Sequence, residues 1–429
     1  MPSLNLRERW DDYRHAQVNR EEGRIALTSL LQPSDRDGDG GPLETGVSED
    51  VHSTSFLDTS LPTRATRLRR KAASGVCCGM NVSLFWRAFG IVAGLLVLWN
   101  AVKLTIWAAV TPPPDGLEDM PAYSTSLGCL DAPHIYNGSM VTFETGMAGE
   151  HPSALVITGG AVGTITIHKA PSEPRRIRYT MTLRTDDESL LEQVQIHEID
   201  EGESSRLLLN TPEAALESTA CSRFDINIYI PSTSARYHLA AHTRTHVRFD
   251  GDELFMNHLY ISMYDVTGRT QILPHANVHA DELKLEMSSG WLVGDVSVSN
   301  LTMINTHRGD ARTNLQVKPT LYRSNGPEIP PAKLITATGR GRTDITYTSD
   351  PSFKHRTIHS DHSSSTGDIY LTYKHSGFNG LVQLNTKSLR ATGIQKLADG
   401  EEHWTHYVGD KEGGDSMRIS SRGWTGLYF

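Results

Sequence analysis

One apolar run constrains this chain more than any other feature of its 429 residues. Between Ala88 and Val110 the sequence holds a single charge, Lys103, and a single strongly polar amide, Asn100. At about 1.5 Å per residue, a helix over this run would be roughly 34 Å long, which is enough to cross a hydrocarbon core of about 30 Å. The run therefore predicts a transmembrane helix over residues 88–110.

The flanks of the run indicate its direction. Basic residues precede it, at Arg64, Arg67, Arg69, Arg70, Lys71 and Arg87, whereas prolines and acidic residues follow it. Positive charge stays on the cytoplasmic side, so the sequence predicts a type II signal-anchor with a cytoplasmic N-terminus and a luminal or extracellular C-terminal part. A cleaved signal peptide is disfavoured because more than eighty residues precede the run. A buried core helix is disfavoured because its flanks differ so strongly in charge.

Possible modification sites agree with this direction. The glycosylation pattern Asn-x-Ser/Thr occurs at Asn137 and Asn300 on the predicted luminal side, although such tripeptides also arise by chance. The same pattern at Asn81 falls on the cytosolic side, where we expect no glycan. Cys77 and Cys78 lie beside the basic cluster, which favours S-palmitoylation over two idle reduced thiols.

Two further pairs of residues, one of cysteines and one of glycines, predict a covalent bond and a helix–helix contact. Cys129 and Cys221 are the cysteines of the predicted luminal part, and two thiols in an oxidising compartment tend to pair, so we expect a disulfide between them. The alternatives are two free thiols or an interchain bond at Cys129. Gly90 and Gly94 form a small-xxx-small pair that is compatible with a helix-paired homodimer, although glycine is also simply tolerated in membrane helices.

The chain divides into five predicted regions. We expect a disordered cytoplasmic tail at 1–87, because its Gly, Pro, Ser, Thr and Asp residues show no apolar period. The transmembrane helix at 88–110 and a linker at 111–135 follow. A β-rich cap subdomain is predicted at 136–235 and a β-solenoid repeat domain at 236–429.

Strand patterns dominate the part after the apolar run. The stretch Glu282–Met287 alternates polar and apolar residues with period two, and similar short alternations recur to the end of the chain. Three turns share a Gly-Asp step into the next strand, beginning at Gly294, Gly309 and Gly367. These features predict an all-β fold built as a β-solenoid, because a recurring strand and glycine turn stack into rungs. The spacing is uneven, so an antiparallel β-sandwich is the alternative.

The stretch ELKLEMSSGWLVGDVSVSNLTMINTHRGDARTNLQV and the later SSSTGDIYLTY resemble the putative-adhesin family of surface proteins. Members of that family repeat an alternating strand, a Gly-Asp turn and another alternating strand. The resemblance covers about residues 250–395. It implies a parallel β-solenoid at a cell surface or in the secretory lumen, and it transfers no catalytic residue.

The sequence holds few residues in arrangements typical of a catalytic or metal site. Histidines at 238, 242 and 246 would lie too far apart on one strand to share a metal ion. A polar loop could fold around Zn²⁺ through His355, His359, Asp361 and His362, but solvated histidines are the default. Motifs such as HExxH and GxSxG are absent from the sequence. Asp295, Asp310 and Asp368 could line up as in glycan-cleaving solenoids, yet a turn aspartate already has a structural role.

These observations lead to one functional hypothesis with two alternatives. The net charge of −9 disfavours nucleic acid as a partner. We expect a non-enzymatic type II membrane protein whose glycosylated β-repeat ectodomain serves surface binding or adhesion, with membrane lipids and surface glycans or proteins as partners. No cofactor, metal or catalytic residue is expected. The alternatives are a membrane-tethered polysaccharide-acting enzyme and a secretory-pathway accessory factor.

Overall fold

The computed structural model describes residues 76–77, 80–110, 116–147, 152–171, 176–200, 205–213, 220–232, 235–306, 309–320, 330–349, 355–398 and 403–429. The predicted cytoplasmic tail lies almost entirely outside the described residues, as does the start of the predicted linker at 111–115. The chain divides into two compact units, Met1–Val97 and Leu98–Phe429.

A short hairpin and one α-helix make up the described N-terminal part. Strands β1 (Val76–Cys77) and β2 (Met80–Asn81) pair antiparallel, and helix α1 runs over Val82–Val110. The helix ends just before a Thr-Pro step, because proline disfavours helical conformation at the residue before it. Within the part of the chain that the structure describes, no helix is both long and apolar enough to cross a membrane. The membrane span stays a prediction from sequence.

Two layers of strands, sheet 1 and sheet 2, form the body of the protein. Sheet 1 contains, in spatial order, β8 (Gln195–Asp200), β9 (Ser205–Thr211), β5 (Ser153–Gly159), β11 (Arg236–Ala241), β13 (Leu254–Met263), β15 (Val278–Met287), β17 (Leu301–Thr306), β19 (Ala332–Thr338), β21 (Ile358–Ser364), and the first halves of β26 (Asp415–Tyr428) and β23 (Gly380–Thr392). Sheet 2 contains β3 (His134–Ile135) and β4 (Val141–Gly146), then β7 (Arg176–Thr185), β10 (Ser222–Ile230), β6 (Val162–Lys169), β12 (Thr245–Phe249), β14 (Gln271–Leu273), β16 (Trp291–Val298), β18 (Arg312–Pro319), β20 (Thr343–Thr348), β22 (Ile369–His375), and the second halves of β26 and β23. The remaining short elements are β24 (Gln395–Lys396), β25 (His406–Val408) and 3-10 turns at Thr125–Leu127, Tyr136–Gly138 and Glu188–Gln193.

Each coil contributes one strand to each sheet. From β11 to β20, every strand pairs in parallel with the strand two positions further along the chain. Hydrogen bonds join 24 of the described strands, because β23 and β26 continue through both sheets. The predicted all-β class is confirmed. The parallel pairing makes the fold a β-solenoid, whereas the antiparallel sandwich would have joined neighbouring strands as hairpins.

Both ends of the solenoid break the sequential order. At the N-terminal end, β9 and β10 lie outside β5 and β6, which pair on their other sides with β11 and β12. Antiparallel strands β8 and β7 cover this end. At the other end, β26 lies between the β21–β22 coil and β23. The pairings of β11 and β12 run across residue 235, where the sequence suggested a boundary between cap and solenoid.

Stacked columns of side chains fill the space between the sheets. One column of sheet 1 passes in register through Leu155, Leu239, Ile261, Leu285 and Ile304. Each of these side chains is at most 1% exposed. Burying an aliphatic side chain of this size contributes about 1.5–3 kcal/mol to the free energy of unfolding. Because side chains alternate across a strand, a register slip of one residue would turn the whole column outward.

Glycines allow successive coils to approach closely at the turns. A Cβ added at Gly309 would lie 1.8 Å from the carbonyl oxygen of Ser288, and one at Gly367 would lie 2.1 Å from that of Gly341. Glycine is needed at these two Gly-Asp steps because the backbone of the preceding coil occupies the space of a side chain.

We expect Gly367→Ala to lower the free energy of unfolding by about 1–3 kcal/mol, the usual cost of overpacking. The added methyl would meet backbone that can move only together with its coil. Chemical denaturation of the purified protein measures the change. Gly146→Ala is the matched control, because its added Cβ would have Asp200 Oδ2 at an ordinary 3.7 Å. Equal losses of stability in the two variants would contradict the close-approach argument.

Candidate functional site

A segment of irregular chain, residues 116–130, crosses the outer side of sheet 2, and we call it the strap. Its backbone carbonyl oxygens accept hydrogen bonds from side chains of several strands of sheet 2. Arg312 Nη1 donates to Gly116 O at 3.2 Å, and Gln271 Nε2 donates to Pro121 O. Further on, Arg184 Nη1 donates to Leu130 O at 2.8 Å. The strap therefore passes from β18 over β14 to β7, across the direction of the strands.

Arg223 on β10 is the charged anchor of the strap and is almost completely buried. It is only 1% exposed, which would be costly for an unpaired charge. Its Nη1 donates to Ser124 O at 2.9 Å and to Gly128 O at 3.0 Å, and its Nη2 donates to Ser124 Oγ at 2.7 Å. The carboxylate of Asp225 accepts from Nε and Nη2 of the same guanidinium. The fixed fork of an arginine suits this planar set of acceptors, so the strap is held in one position.

A disulfide closes the far end of the strap. Cys129 and Cys221 are bonded, with their Cα atoms 5.9 Å apart, as expected from the sequence. Cys221 lies directly before β10, two residues from Arg223. The covalent bond and the buried guanidinium thus fasten the strap to the same strand.

His246 on β12 holds the middle of the strap. The Ser124 N–H donates to its Nδ1 at 2.9 Å, and its Nε2 lies 2.8 Å from the carbonyl oxygen of Arg269. Nε2 must therefore carry the proton, and the ring is neutral in this arrangement. Burial lowers the pKa of His246, and the charge of Arg223 acts in the same direction, whereas the bond to Arg269 O opposes them. A proton on Nδ1 would face the Ser124 N–H, so protonation is incompatible with this contact.

We expect acid to loosen the strap. The pKa of His246 is lower with the strap in place than the ordinary value of about 6.5, so below that pH the released form takes up a proton first. The stabilisation by His246 is therefore complete above about pH 6.5 and declines as the pH falls. Hydrogen exchange of the backbone amides of residues 116–130 should accelerate at about pH 5 beyond its intrinsic pH dependence.

His246→Gln is the control for this prediction, because glutamine keeps an acceptor but does not titrate in this range. The variant should lose the pH-dependent part of the exchange in the strap. Amides of β15, which does not contact His246 in register, should behave alike in both proteins. The prediction fails if the strap of the unaltered protein exchanges at the same corrected rate at both pH values.

A stacked cluster lies on the outer side of sheet 1, where β11, β13 and β15 run side by side. The rings of His238 and Tyr260 are 4.3 Å apart and nearly parallel, and Lys284 Nζ lies 4.3 Å from the Tyr260 ring on an adjoining strand. The Tyr260 hydroxyl donates to Glu286, whose Oε2 is 3.5 Å from Lys284 Nζ. His238 Nε2 is 2.9 Å from Ser262 Oγ. The polar atoms of the cluster thus form hydrogen bonds and an ion pair with one another.

Burial moves the pKa values of His238 and Tyr260 further from neutral pH. Burial lowers the pKa of His238 to about 4, and the positive charge of Lys284 adds to the effect. Burial raises the pKa of Tyr260, with Tyr264 and Glu286 acting in the same direction. At pH 7 the imidazole is neutral and the phenol is protonated, and neither changes state near that pH. A general acid or base works best with a pKa near the operating pH, so these two groups are poorly suited to proton transfer.

The cluster continues along sheet 1 as an outer row of one residue per strand. The row runs in register through Tyr260, Lys284, Met303, Ile335, Asp361 and Arg418. Neighbouring members are about 4.8 Å apart, the spacing of strands in a sheet. Met303 and Ile335 are half-buried, whereas Asp361 and Arg418 are exposed. The outer row therefore presents aromatic, apolar and charged groups in a fixed order.

The sequence-predicted modification sites lie apart from the strap anchors and the outer row. Asn137 is exposed in the 3-10 turn before β4, with a positive φ of 52°. Asn300 is half-buried in the turn between β16 and β17. Cys77 belongs to β1, and Cys78 lies outside the described residues. Glycosylation and palmitoylation stay predictions.

The histidines proposed as metal ligands do not converge. His362 points into the interior, where Thr336 Oγ1 and the Tyr373 hydroxyl lie 2.9 and 3.0 Å from its two nitrogens. Asp361, its neighbour, is exposed on the outer row, and His355 bonds the buried carboxylate of Asp415 at 3.0 Å. No group of three or more His, Cys, Asp or Glu side chains suited to a metal ion occurs among the described residues. The histidines at 238, 242 and 246 do not share one strand, because a turn separates β11 from β12.

Two of the turn aspartates have structural partners. Asp310 Oδ1 accepts a hydrogen bond from Ser289 Oγ, and Asp368 Oδ1 accepts one from the backbone N–H of Trp424 at 3.0 Å. In each case the donor belongs to a neighbouring coil. These bonds fit the structural role of aspartate at a turn.

The strap was not predicted from the sequence, although the spacing of its anchor Arg223 and Asp225 gave a partial indication. Arg223 and Asp225 are two residues apart on one strand and so share a face, and Arg342 and Asp344 repeat the arrangement with Nε and Oδ2 2.7 Å apart. An Arg-x-Asp pattern in an alternating strand indicates an ion pair on the outer face. It could not reveal that an irregular segment about 100 positions earlier supplies the remaining acceptors.

Comparison with known proteins gives distant likenesses only. No protein-family model matches the chain, and no curated protein matches it. A solved structure described as a putative adhesin from Bacteroides fragilis NCTC 9343 is 11% identical, with 68% of this chain and 96% of that chain covered and a TM-score of 0.35. A putative cell adhesion protein from Clostridium sporogenes ATCC 15579 is 8% identical, with 68% and 97% covered and a TM-score of 0.19. These TM-scores are too low to carry an argument about this chain.

Proposed function

We propose that the protein is a non-enzymatic, single-pass type II membrane protein whose β-solenoid binds a surface partner through the outer row of sheet 1. The observation that carries the proposal is the difference between the two outer faces. The strap lies across sheet 2, whereas sheet 1 displays the outer row on a rigid set of parallel strands. Rigid display keeps the ordering cost of binding low, because few side chains lose freedom when a partner docks.

The chemistry of the outer row favours binding over catalysis. Its stacked cluster holds His238 and Tyr260 in states that do not exchange protons near neutral pH. The half-buried pair Met303 and Ile335 offers an apolar centre with charged residues on either side of it in the row. An apolar centre with a polar rim is the usual arrangement of a recognition surface for proteins or glycans.

The membrane part of the proposal is supported by the apolar run and its exposure. Val97, Leu98 and Trp99 are successive helical residues and are 70%, 63% and 69% exposed. Successive residues point about 100° apart around a helix, so large apolar side chains are exposed on several sides. Lipid would cover such a helix, and the basic residues before it favour a cytoplasmic N-terminus. Gly90 and Gly94 would permit a close helix pair in this membrane, and palmitate on Cys77 and Cys78 would add to the anchor.

We expect glycan at Asn137 and none at Asn81 when the full chain is made in cells with a glycosylating secretory pathway. Asn137 is exposed on a turn and would be luminal, whereas Asn81 would face the cytosol. Peptide mapping after endoglycosidase treatment measures occupancy at each site. Ser139→Ala should remove the glycan at Asn137, and Ser139→Thr, which keeps the acceptor pattern, should retain it. Glycan found at Asn81 would reverse the proposed orientation.

We expect Ile335→Lys to weaken surface binding at least several-fold, because it places a charge at the apolar centre of the outer row. Binding of the full chain to immobilised cell-surface polysaccharides and to intact cells provides the measurement. Gln316→Lys is the matched control, since residue 316 is exposed on β18 of sheet 2 and gains the same charge. Equal binding by both variants would show that the outer row is not the recognition surface. Release of sugar products would favour the enzymatic alternative.

A further inference from the structure

The last strand of the protein fills a slot that the rest of the chain leaves open. Strand β26 pairs in parallel with β21 and β22 on one side and with β23 on the other, although β23 precedes it in sequence. The chain therefore forms the coil beyond the slot before it reaches the segment that fills the slot. Without β26, a full row of backbone donors and acceptors would be unpaired on both walls.

The inserted strand is fastened at its two ends. At the start, the buried carboxylate of Asp415 accepts hydrogen bonds from the backbone N–H groups of Ile358 at 2.8 Å and Asn379 at 2.7 Å. These two donors belong to opposite walls of the slot. At the end, the Phe429 ring lies 5.1 Å from Phe378 and 5.8 Å from Tyr373. Between the anchors, the inward side chains of β26 are almost completely buried, namely Met417, Ile419 and Leu427.

The connection into β26 is an exposed, glycine-rich loop. Residues 409–414 read Gly-Asp-Lys-Glu-Gly-Gly, and all but Gly413 are exposed. Gly409 and Gly414 have φ angles of 65° and 88°, a region in which glycine carries no steric penalty. Redirecting the strand that follows would release the hydrogen bond from the Asp410 N–H to Asn379 Oδ1, while the glycines would impose no steric penalty.

We propose that this slot is a strand-acceptor site that takes β26 of a second copy of the same chain, so that two copies exchange their last strands. Every pairing and both anchors would be reproduced in the exchanged form, because the donated segment has the same sequence. The two forms then differ only in the glycine-rich loop and in the entropy of association. Exchange becomes more frequent as the local concentration of copies rises, because β26 of a neighbouring copy then competes with the tethered β26 of the same chain for the empty slot.

The test uses two full-length copies with different tags, each carrying Cys77→Ser and Cys78→Ser to remove other free thiols. One copy carries Asn385→Cys on β23 and the other carries Ser420→Cys on β26. These positions are register partners and are both exposed. Partners on neighbouring strands are about 4.8 Å apart, within the Cα separation that a disulfide spans. When the copies are co-expressed and oxidised, we expect a reducible dimer that carries both tags.

Two controls decide the outcome. Asn385→Cys and Ser420→Cys in one chain should form an internal disulfide in unexchanged molecules and prove that the pair can close. Asn385→Cys in one copy with Gln316→Cys in the other measures random collision, because residue 316 lies on sheet 2 away from β23. The proposal requires the mixed-tag dimer to exceed this collision control several-fold. An internal disulfide that closes fully, together with mixed-tag dimer no greater than the collision control, would overturn it.

Discussion

Parallel pairing between successive coils is the constraint on which the rest of the structure depends. Each strand must present the same side inward as the strands on its two sides, since a slip of one residue reverses every side chain. The column from Leu155 to Ile304 shows that the apolar period is kept coil after coil. The same register that builds this inner column also builds the outer row, so core and candidate binding surface have one structural cause.

Parallel stacking also creates two structural problems, which are crowding at the turns and unpaired strand edges at the two ends. Coils that stack closely leave no room for a side chain at certain turn positions, such as Gly309 and Gly367, which face carbonyl oxygens of the preceding coil. A stack of strands also leaves an unpaired edge at each end. Antiparallel strands β7 and β8 cover the first coil, and β25 pairs with part of β23 at the other end. At both ends, strands that lie out of sequential order, namely β9, β10 and β26, connect these covering strands to the regular coils.

The sequence predicted those features that repeat locally. Alternation in Glu282–Met287 and the Gly-Asp steps at Gly309 and Gly367 predicted the all-β class and favoured a solenoid over a sandwich, and the cysteine pairing was predicted from composition and the expected compartment. The strap and the position of β26 could not be predicted, because each depends on contacts between residues far apart in the chain. Arg223 illustrates the limit, since its pairing with Asp225 is local whereas its acceptors in the strap lie about 100 positions earlier.

The interior changes character towards the C-terminal end, and this change matters for the inserted strand. The apolar column of sheet 1 continues after Ile304 as Thr336 and His362 before returning to Ile419 on β26. Burial lowers the pKa of His362 to about 3, so the imidazole stays neutral and bonds both Thr336 and Tyr373. A buried hydrogen-bond network in which every member is satisfied specifies one arrangement of the core. The polar interior thus specifies the register of β21, the wall of the slot against which β26 pairs.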